Sequence, residues 1–175
     1  MTKPSRREGG WGALALLRTA AVSGIAGSIA MVPFGLVIRR VLGLPLNRYG
    51  ESVLRLLAGR VTPLGLALEH LLIGWAMALP LVGLSKGRWV THPEAVGAAY
   101  GATIWLVVNS LALPYAFAQP TPWSLGVNAI WPSLLVHVVY GVVAAGVLAR
   151  LRGVPSGTHD RTKPYDAEAG ASPTR

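Results

Sequence analysis

The sequence contains no cysteine, and only 13% of its 175 residues are charged. Without a thiol the chain can form no disulfide, thiolate metal site, cysteine nucleophile or c-type haem attachment. The charged fraction is about half of the roughly 25% that is usual in soluble domains. Hydrophobic residues make up 52% of the chain. The composition therefore favours a membrane protein over a soluble domain.

The hydrophobic residues are concentrated in four long runs, which contain only two formal charges, Arg18 and Glu69. A helix crosses a bilayer core of about 30 Å with roughly 20 apolar residues, so each run is long enough to span a membrane. The runs cover residues 13–38, 61–84, 95–118 and 127–149. We therefore predict an all-α, polytopic membrane protein with four transmembrane helices in one domain, residues 13–152.

Three other segments complete the predicted organisation. Residues 1–12 form a basic N-terminal segment, and residues 153–175 are rich in Pro, Gly, Ser, Thr and charge, which predicts a disordered tail. Residues 51–58 place Glu51 and Arg55 on one helical side and leucines on another. This pattern predicts a short amphipathic helix in the headgroup plane, and a solvated loop over the bundle is the alternative.

The basic N-terminus ahead of an apolar run also has the pattern of a secretory signal, with residues 28–30 as a small-residue cleavage site. The apolar run continues to Ile38, which is too long for a signal core, and Arg18 interrupts it. We therefore expect a membrane span here rather than a cleaved signal.

The net charge of +9 comes from Lys and Arg residues that lie almost wholly in the segments flanking the apolar runs. This placement is typical of topology signals and lipid headgroup contacts, and it argues against nucleic acid as a partner. Ten of these residues fall in the two termini and the loop after the second run, and five fall in the loop after the first. We predict a multi-pass protein of the cytoplasmic (inner) membrane with both termini in the cytoplasm.

The two halves of the chain resemble each other. Residues 21–27 align with residues 95–101, and His70 and His137 are each followed four positions later by a glycine. The alignment predicts two tandem helical hairpins related as a parallel repeat. Small residues also recur at four-residue spacing in the first, third and fourth spans. Such faces suit close packing within the bundle or self-association into a homo-oligomer in the lipid bilayer.

Polar side chains fall at a similar depth in three of the predicted spans. At about 1.5 Å per residue, His70, Asn109 and His137 lie roughly 14 Å below the outer boundary of the membrane. Glu69 precedes His70, and Tyr140 lies one turn after His137. Ionised groups are costly at this depth, so we expect the set to face inward and to be paired or neutral. We call these five residues the polar layer.

The polar layer has two interpretations. It is a proton or ion relay or a ligand pocket, or it consists of hydrogen bonds that hold the helices together. A further alternative is haem b or a metal ion bound between His70 and His137, with the glycine one turn after each leaving room for the macrocycle. The sequence contains no nucleophile elbow, catalytic acidic pair or HExxH motif, which favours a structural or accessory membrane protein over an enzyme.

Several positions from the second to the fourth span form a recognisable set: His70, the span from Gly97 to Pro114 with Asn109, the Pro122-Trp123 pair, and the run from His137 to Tyr140 that leads to Arg150. In these positions the sequence resembles the YagU-like family of small bacterial inner-membrane proteins. The resemblance implies a protein of the bacterial cytoplasmic membrane, in a family that has no established activity.

Overall fold

The computed structural model describes residues 12–46, 49–85 and 92–153, and these ranges contain no strand. Four helices are long and apolar enough to cross a membrane: Ala13–Val41, Pro63–Leu84, Pro93–Phe117 and Val127–Leu151. The predicted all-α polytopic fold is therefore confirmed, and the observed ends lie within three residues of the predicted ones. The basic N-terminal segment and the predicted disordered tail lie almost entirely outside the described residues.

The described helical segments are, in chain order, α1 (Ala13–Leu36), a π-helical segment (Val37–Val41), α2 (Tyr49–Ala58), α3 (Pro63–Leu84), α4 (Pro93–Ile104), a second π-helical segment (Trp105–Ala112), α5 (Leu113–Phe117), α6 (Pro122–Leu125) and α7 (Val127–Leu151). Local sequence sets where α3 begins. The Thr62 hydroxyl accepts a hydrogen bond from the Gly65 N–H at 3.0 Å, and Pro63 occupies the first helical position, where no N–H is needed.

The third span is continuous from α4 to α5 but is wound more loosely in its second half. Pro114 has no N–H, so the carbonyl of Ser110 lacks its usual α-helical donor. In the same turn, the N–H of Leu113 bonds to the carbonyl of Val108, which lies five residues earlier, the spacing of a π-helix. This π-helical geometry places Asn109 and Ser110 on the buried side of the span.

The long helices pack in the order α3, α1, α7, α4, because α1 contacts both α3 and α7 while α4 lies against α7. In each hairpin the two backbones touch at glycines. A Cβ added to Gly24 would lie 2.8 Å from the carbonyl carbon of Gly74, and one added to Gly97 would lie 2.7 Å from the Cα of Val142. These contacts form the two predicted tandem hairpins, α1 with α3 and α4 with α7.

The two hairpins pair their helices in the same way, but the register differs by one residue from the sequence alignment. The facing pairs are Gly24 with Gly74 and Ser28 with His70 in the first hairpin, and Gly97 with Gly141 and Gly101 with His137 in the second. Gly24 therefore corresponds to Gly97, whereas the alignment paired it with Ala98. The predicted register was wrong because segments rich in Ala, Val and Gly align almost equally well one residue apart, and only the facing helix distinguishes the two registers.

The small-residue faces are covered by the chain's own helices. Ala20 and Ser28 on α1 and Ala145 and Ala149 on α7 are all at most 5% exposed. Self-association through these faces would require the bundle to open. Within the described bundle they serve internal packing.

One end of the bundle carries α2 and the segment 118–126. Because the first and third connections of four successive spans lie on the same side of the membrane, these two segments share a surface. α2 packs against α3 and α5, and the Tyr49 hydroxyl donates a hydrogen bond to the Pro120 carbonyl at 3.2 Å. A helix forms here, as predicted, instead of an irregular loop.

Candidate functional site

His70 joins α3 to α1. Its Nε2 donates to the carbonyl of Ser28 at 3.2 Å, and the Ser28 hydroxyl donates to the carbonyl of His70 at 3.3 Å. The helices come this close because Gly74 lies one turn further along α3, where an added Cβ would be 3.1 Å from the Cβ of Ser28. The imidazole is therefore bound to the backbone of a neighbouring helix.

Ser133 links His137 to the third span. His137 Nδ1 donates to the Ser133 carbonyl at 2.7 Å, within the preceding turn of α7. The Ser133 hydroxyl accepts from Asn109 Nδ2 at 3.0 Å and from Trp105 Nε1 at 3.2 Å. Ser133, Asn109 and Trp105 are all buried. This cluster joins the π-helical part of the third span to α7.

Tyr140 connects α7 to both helices of the first hairpin. Its hydroxyl donates to the carbonyl of Gly74 on α3 at 2.6 Å, and its ring lies over Gly27 of α1, where an added Cβ would be 2.8 Å from Tyr140 Cδ2. The side chain is 3% exposed. Tyr100 of α4 makes a similar bond to the carbonyl of Met77 on α3. Two tyrosine hydroxyls thus tie the second hairpin to α3, which otherwise packs mainly on α1.

Glu69 lies beneath α2, apart from this network. A Cβ added to Gly50 would be 2.7 Å from Glu69 Oε2, so α2 passes close over the carboxylate at this glycine. Glu69 Oε1 is buried and has no hydrogen-bond partner in the part of the chain that the structure describes. No hydrogen bond joins Glu69 to His70 or His137 within those ranges, so the carboxylate is not paired with either histidine.

His70 lies seven residues from the end of its span at Pro63, Asn109 eight from Phe117 and His137 ten from Val127. These three ends are on the same side of the bundle. The polar side chains therefore occupy a similar depth, although His70 bonds toward α1 and His137 within α7.

The glycines that follow the two histidines leave no room for the macrocycle of haem b. The room expected beside Gly74 and Gly141 is filled by neighbouring helices, since a Cβ on Gly141 would already lie 2.7 Å from the Gly101 nitrogen. A porphyrin cannot enter where a methyl group does not fit. This room is absent because a glycine in a membrane helix lets another backbone approach instead of leaving a void. Within residues 12–46, 49–85 and 92–153 no group of three or more His, Asp or Glu side chains could hold a metal ion.

A second polar site lies at the end of the bundle that carries α2. It is an open cleft of about 450 Å³ between α2 and the segment that follows α5. Arg55 in this cleft is exposed and makes no ion pair with the other described residues. The lining residues are Tyr49, Glu51, Ser52, Arg55, Gln119, Pro120 and Leu125.

Arg152 fastens the opposite end of the bundle. Its guanidinium donates to the carbonyl of Ser85 and, at 3.1 Å, to the carbonyl of Val82, both at the C-terminal end of α3. A cation is favourable at this end of a helix because the unpaired carbonyls carry partial negative charge. Burial lowers the pKa of Arg152, but an arginine remains protonated at neutral pH.

The hydrogen-bond partners of the polar layer were not assigned from the sequence. Ser133 lies four residues before His137, which is the spacing at which a side chain can reach the preceding turn, and Ser28 belongs to the small-residue stripe of α1. Both features of the sequence could have indicated these hydrogen-bond partners. Nothing in the sequence indicated that Gly50 covers Glu69, because that contact depends on how α2 lies across α3.

Comparison of the chain with protein-family models, with curated proteins and with solved structures found no match. The resemblance of the second to fourth spans to the YagU-like family therefore stays a prediction. The fold itself, with its four apolar helices, is that of a multi-pass integral membrane protein.

Proposed function

We propose that the protein is a non-enzymatic structural or accessory component of the bacterial cytoplasmic membrane, and that its polar layer holds the helical bundle together. The observation that supports this is the choice of hydrogen-bond partners. His70, His137 and Tyr140 each donate to a backbone carbonyl. A proton relay needs groups that exchange protons with one another, whereas a backbone carbonyl does not titrate.

The positions of these bonds support the same role. Tyr140 bonds to Gly74, and His70 bonds to the α1 residue that packs on Gly74. Hydrogen bonds between membrane helices contribute about 0.6 kcal/mol each on average, so several of them add to the dispersion energy of the glycine contacts. The side chains therefore stabilise the contacts that define the fold.

The proposal includes a location in the inner membrane with both termini in the cytoplasm. It rests on the excess of Lys and Arg in the termini and in the loop after the second span. The resemblance to the YagU-like family leads to the same membrane.

A second candidate is a proton- or ion-linked function centred on Glu69. It is favoured by the buried Glu69 Oε1, which has no hydrogen-bond partner among the described residues, and by the neighbouring position of His70. An ionisable side chain within a membrane span commonly marks an ion or proton pathway. This candidate function involves only Glu69 and His70 of the polar layer.

Proton flux into reconstituted proteoliposomes, measured together with thermal unfolding, separates the two candidates. The structural proposal predicts no flux above that of protein-free vesicles, and it predicts that His70→Ala lowers the unfolding temperature because the bond from the imidazole Nε2 to the Ser28 carbonyl is lost. Thr103→Val is the matched control, since among the described residues the Thr103 hydroxyl bonds only to the Ala99 carbonyl of its own helix. Flux that Glu69→Gln abolishes without changing the unfolding temperature would contradict the structural proposal and favour the second candidate.

A further inference from the structure

The cleft beside α2 lies at a surface of the membrane. It is formed by the connections that follow the first and third spans, which emerge on the same side of the bilayer. Leu56 and Leu57 at the end of α2 are 74% and 77% exposed, and Trp123 beside the cleft is 46% exposed. Exposed leucines and a tryptophan next to polar groups are typical of the zone where acyl chains meet headgroups.

The polar groups of the cleft suit an anion. Arg55 is exposed and makes no ion pair with another described residue, so its guanidinium is open to a ligand. Ser52 on the same helix and Gln119 on the opposite wall add a hydroxyl and an amide as hydrogen-bond donors. Glu51 also lines the cleft, but it has an interaction of its own. A guanidinium flanked by neutral donors is the arrangement that binds phosphate.

The shape of the cleft is fixed by a bond between its walls. The Tyr49 hydroxyl on α2 donates to the Pro120 carbonyl across the cleft at 3.2 Å. The cavity of about 450 Å³ falls within the roughly 300–1,000 Å³ that is usual for small-molecule sites. The wall residues Pro120 and Leu125 supply apolar surface beside the donors.

The segments that form the cleft carry positive charge, which also suits an anion. Residues 39–60 contain five arginines and a single acidic residue, Glu51, while the segment 118–126 has no charge. Arg39, Arg40 and Arg60 are exposed at this end of the bundle. Basic residues at a membrane surface attract anionic lipids.

From the position, the donors and the charge together, we infer that this cleft binds the phosphate headgroup of an anionic phospholipid. Arg55 contacts the phosphate, Ser52 and Gln119 bond to headgroup oxygens, and Leu56 and Leu57 lie among acyl chains. A lipid is favoured over a soluble phosphate ester because the anion-binding groups and the exposed leucines belong to one short helix. This inference concerns a different surface from the polar layer and does not depend on its role.

Native mass spectrometry of the full-length protein in detergent tests the inference, with phosphatidylglycerol and phosphatidylcholine as the lipids. We expect binding of phosphatidylglycerol to be tighter, and we expect Arg55→Gln to weaken it about tenfold, the effect of losing one good charged contact. Arg150→Gln is the matched control, because Arg150 is exposed at the opposite end of the bundle and does not line the cleft. It should change the affinity less than twofold.

Two further measurements keep the inference falsifiable. Gln119→Leu removes a donor from the opposite wall and should also weaken phosphatidylglycerol binding, and circular dichroism of each variant checks that the helices remain folded. Equal affinity for the two lipids, or equal losses for Arg55→Gln and Arg150→Gln, would overturn the inference. Glycerol phosphate that displaces the lipid at equal concentration would identify a soluble phosphate site and would overturn it as well.

Discussion

Gly141→Ala is the sharpest test of the proposed packing. A Cβ at this position would lie 2.7 Å from the Gly101 nitrogen and 2.9 Å from the Gly101 Cα. These are backbone atoms, so no side chain can rotate away. An ordinary carbon contact needs about 3.5–4.0 Å, so α4 and α7 must separate by roughly 1 Å, and a gap of that size forfeits a quarter to a half of the contact energy along the interface. We expect a loss of about 1–3 kcal/mol of unfolding free energy, the usual cost of overpacking.

Gly146→Ala on the same helix is the matched control. An added Cβ there meets nothing within 4 Å, so only helix propensity changes. Alanine is favoured over glycine in a helix interior by about 1 kcal/mol at most, and this variant should be as stable as the parent or slightly more so. Both proteins would be unfolded with increasing mole fractions of dodecyl sulfate and followed by circular dichroism. Equal midpoints for the two variants would refute the backbone contact between α4 and α7.

Two other substitutions test single hydrogen bonds. Tyr140→Phe removes the bond to α3 and should lower the unfolding free energy by roughly 0.6–1.7 kcal/mol. Tyr115→Phe is its control, because this side chain is 92% exposed and its substitution should have no effect in the same assay. Identical unfolding midpoints for the two variants would contradict the assigned bond. Arg152→Gln removes the charged donors at the end of α3 and should cost about 1 kcal/mol or more, while Arg150→Gln alters an exposed side chain and serves as its control. A loss confined to Arg150→Gln would show that the assignment is wrong.

The sequence by itself determined the four spans and the class of the protein. Crossing a membrane depends on the length and hydrophobicity of one continuous segment, because lipid offers no partner for the backbone and each segment must satisfy its own hydrogen bonds as a helix. The information that specifies a span is therefore contained in one continuous stretch of the sequence. It located the observed ends of the spans within three residues.

The hairpin repeat could be predicted only in part from the sequence. Two histidines, each four residues before a glycine, indicated equivalent halves, and both glycines do face a small residue of the preceding span. The register of that pairing was wrong by one residue. Small side chains carry little information about which neighbour they meet, because the specificity of a glycine contact lies in the backbone of the facing helix.

Only the tertiary structure decided what the polar side chains do. The residue types at positions 69, 70, 109, 137 and 140 indicated an inward polar layer, but the bonds they make depend on neighbours that are distant in sequence. Ser28 lies 42 residues from His70, and Gly74 lies 66 residues from Tyr140. Hydrogen bonds require both partners within about 3 Å, and that proximity follows from helix packing rather than from any local pattern. The same holds for the cleft beside α2, whose two walls come from separate connections that meet only because the spans alternate in direction.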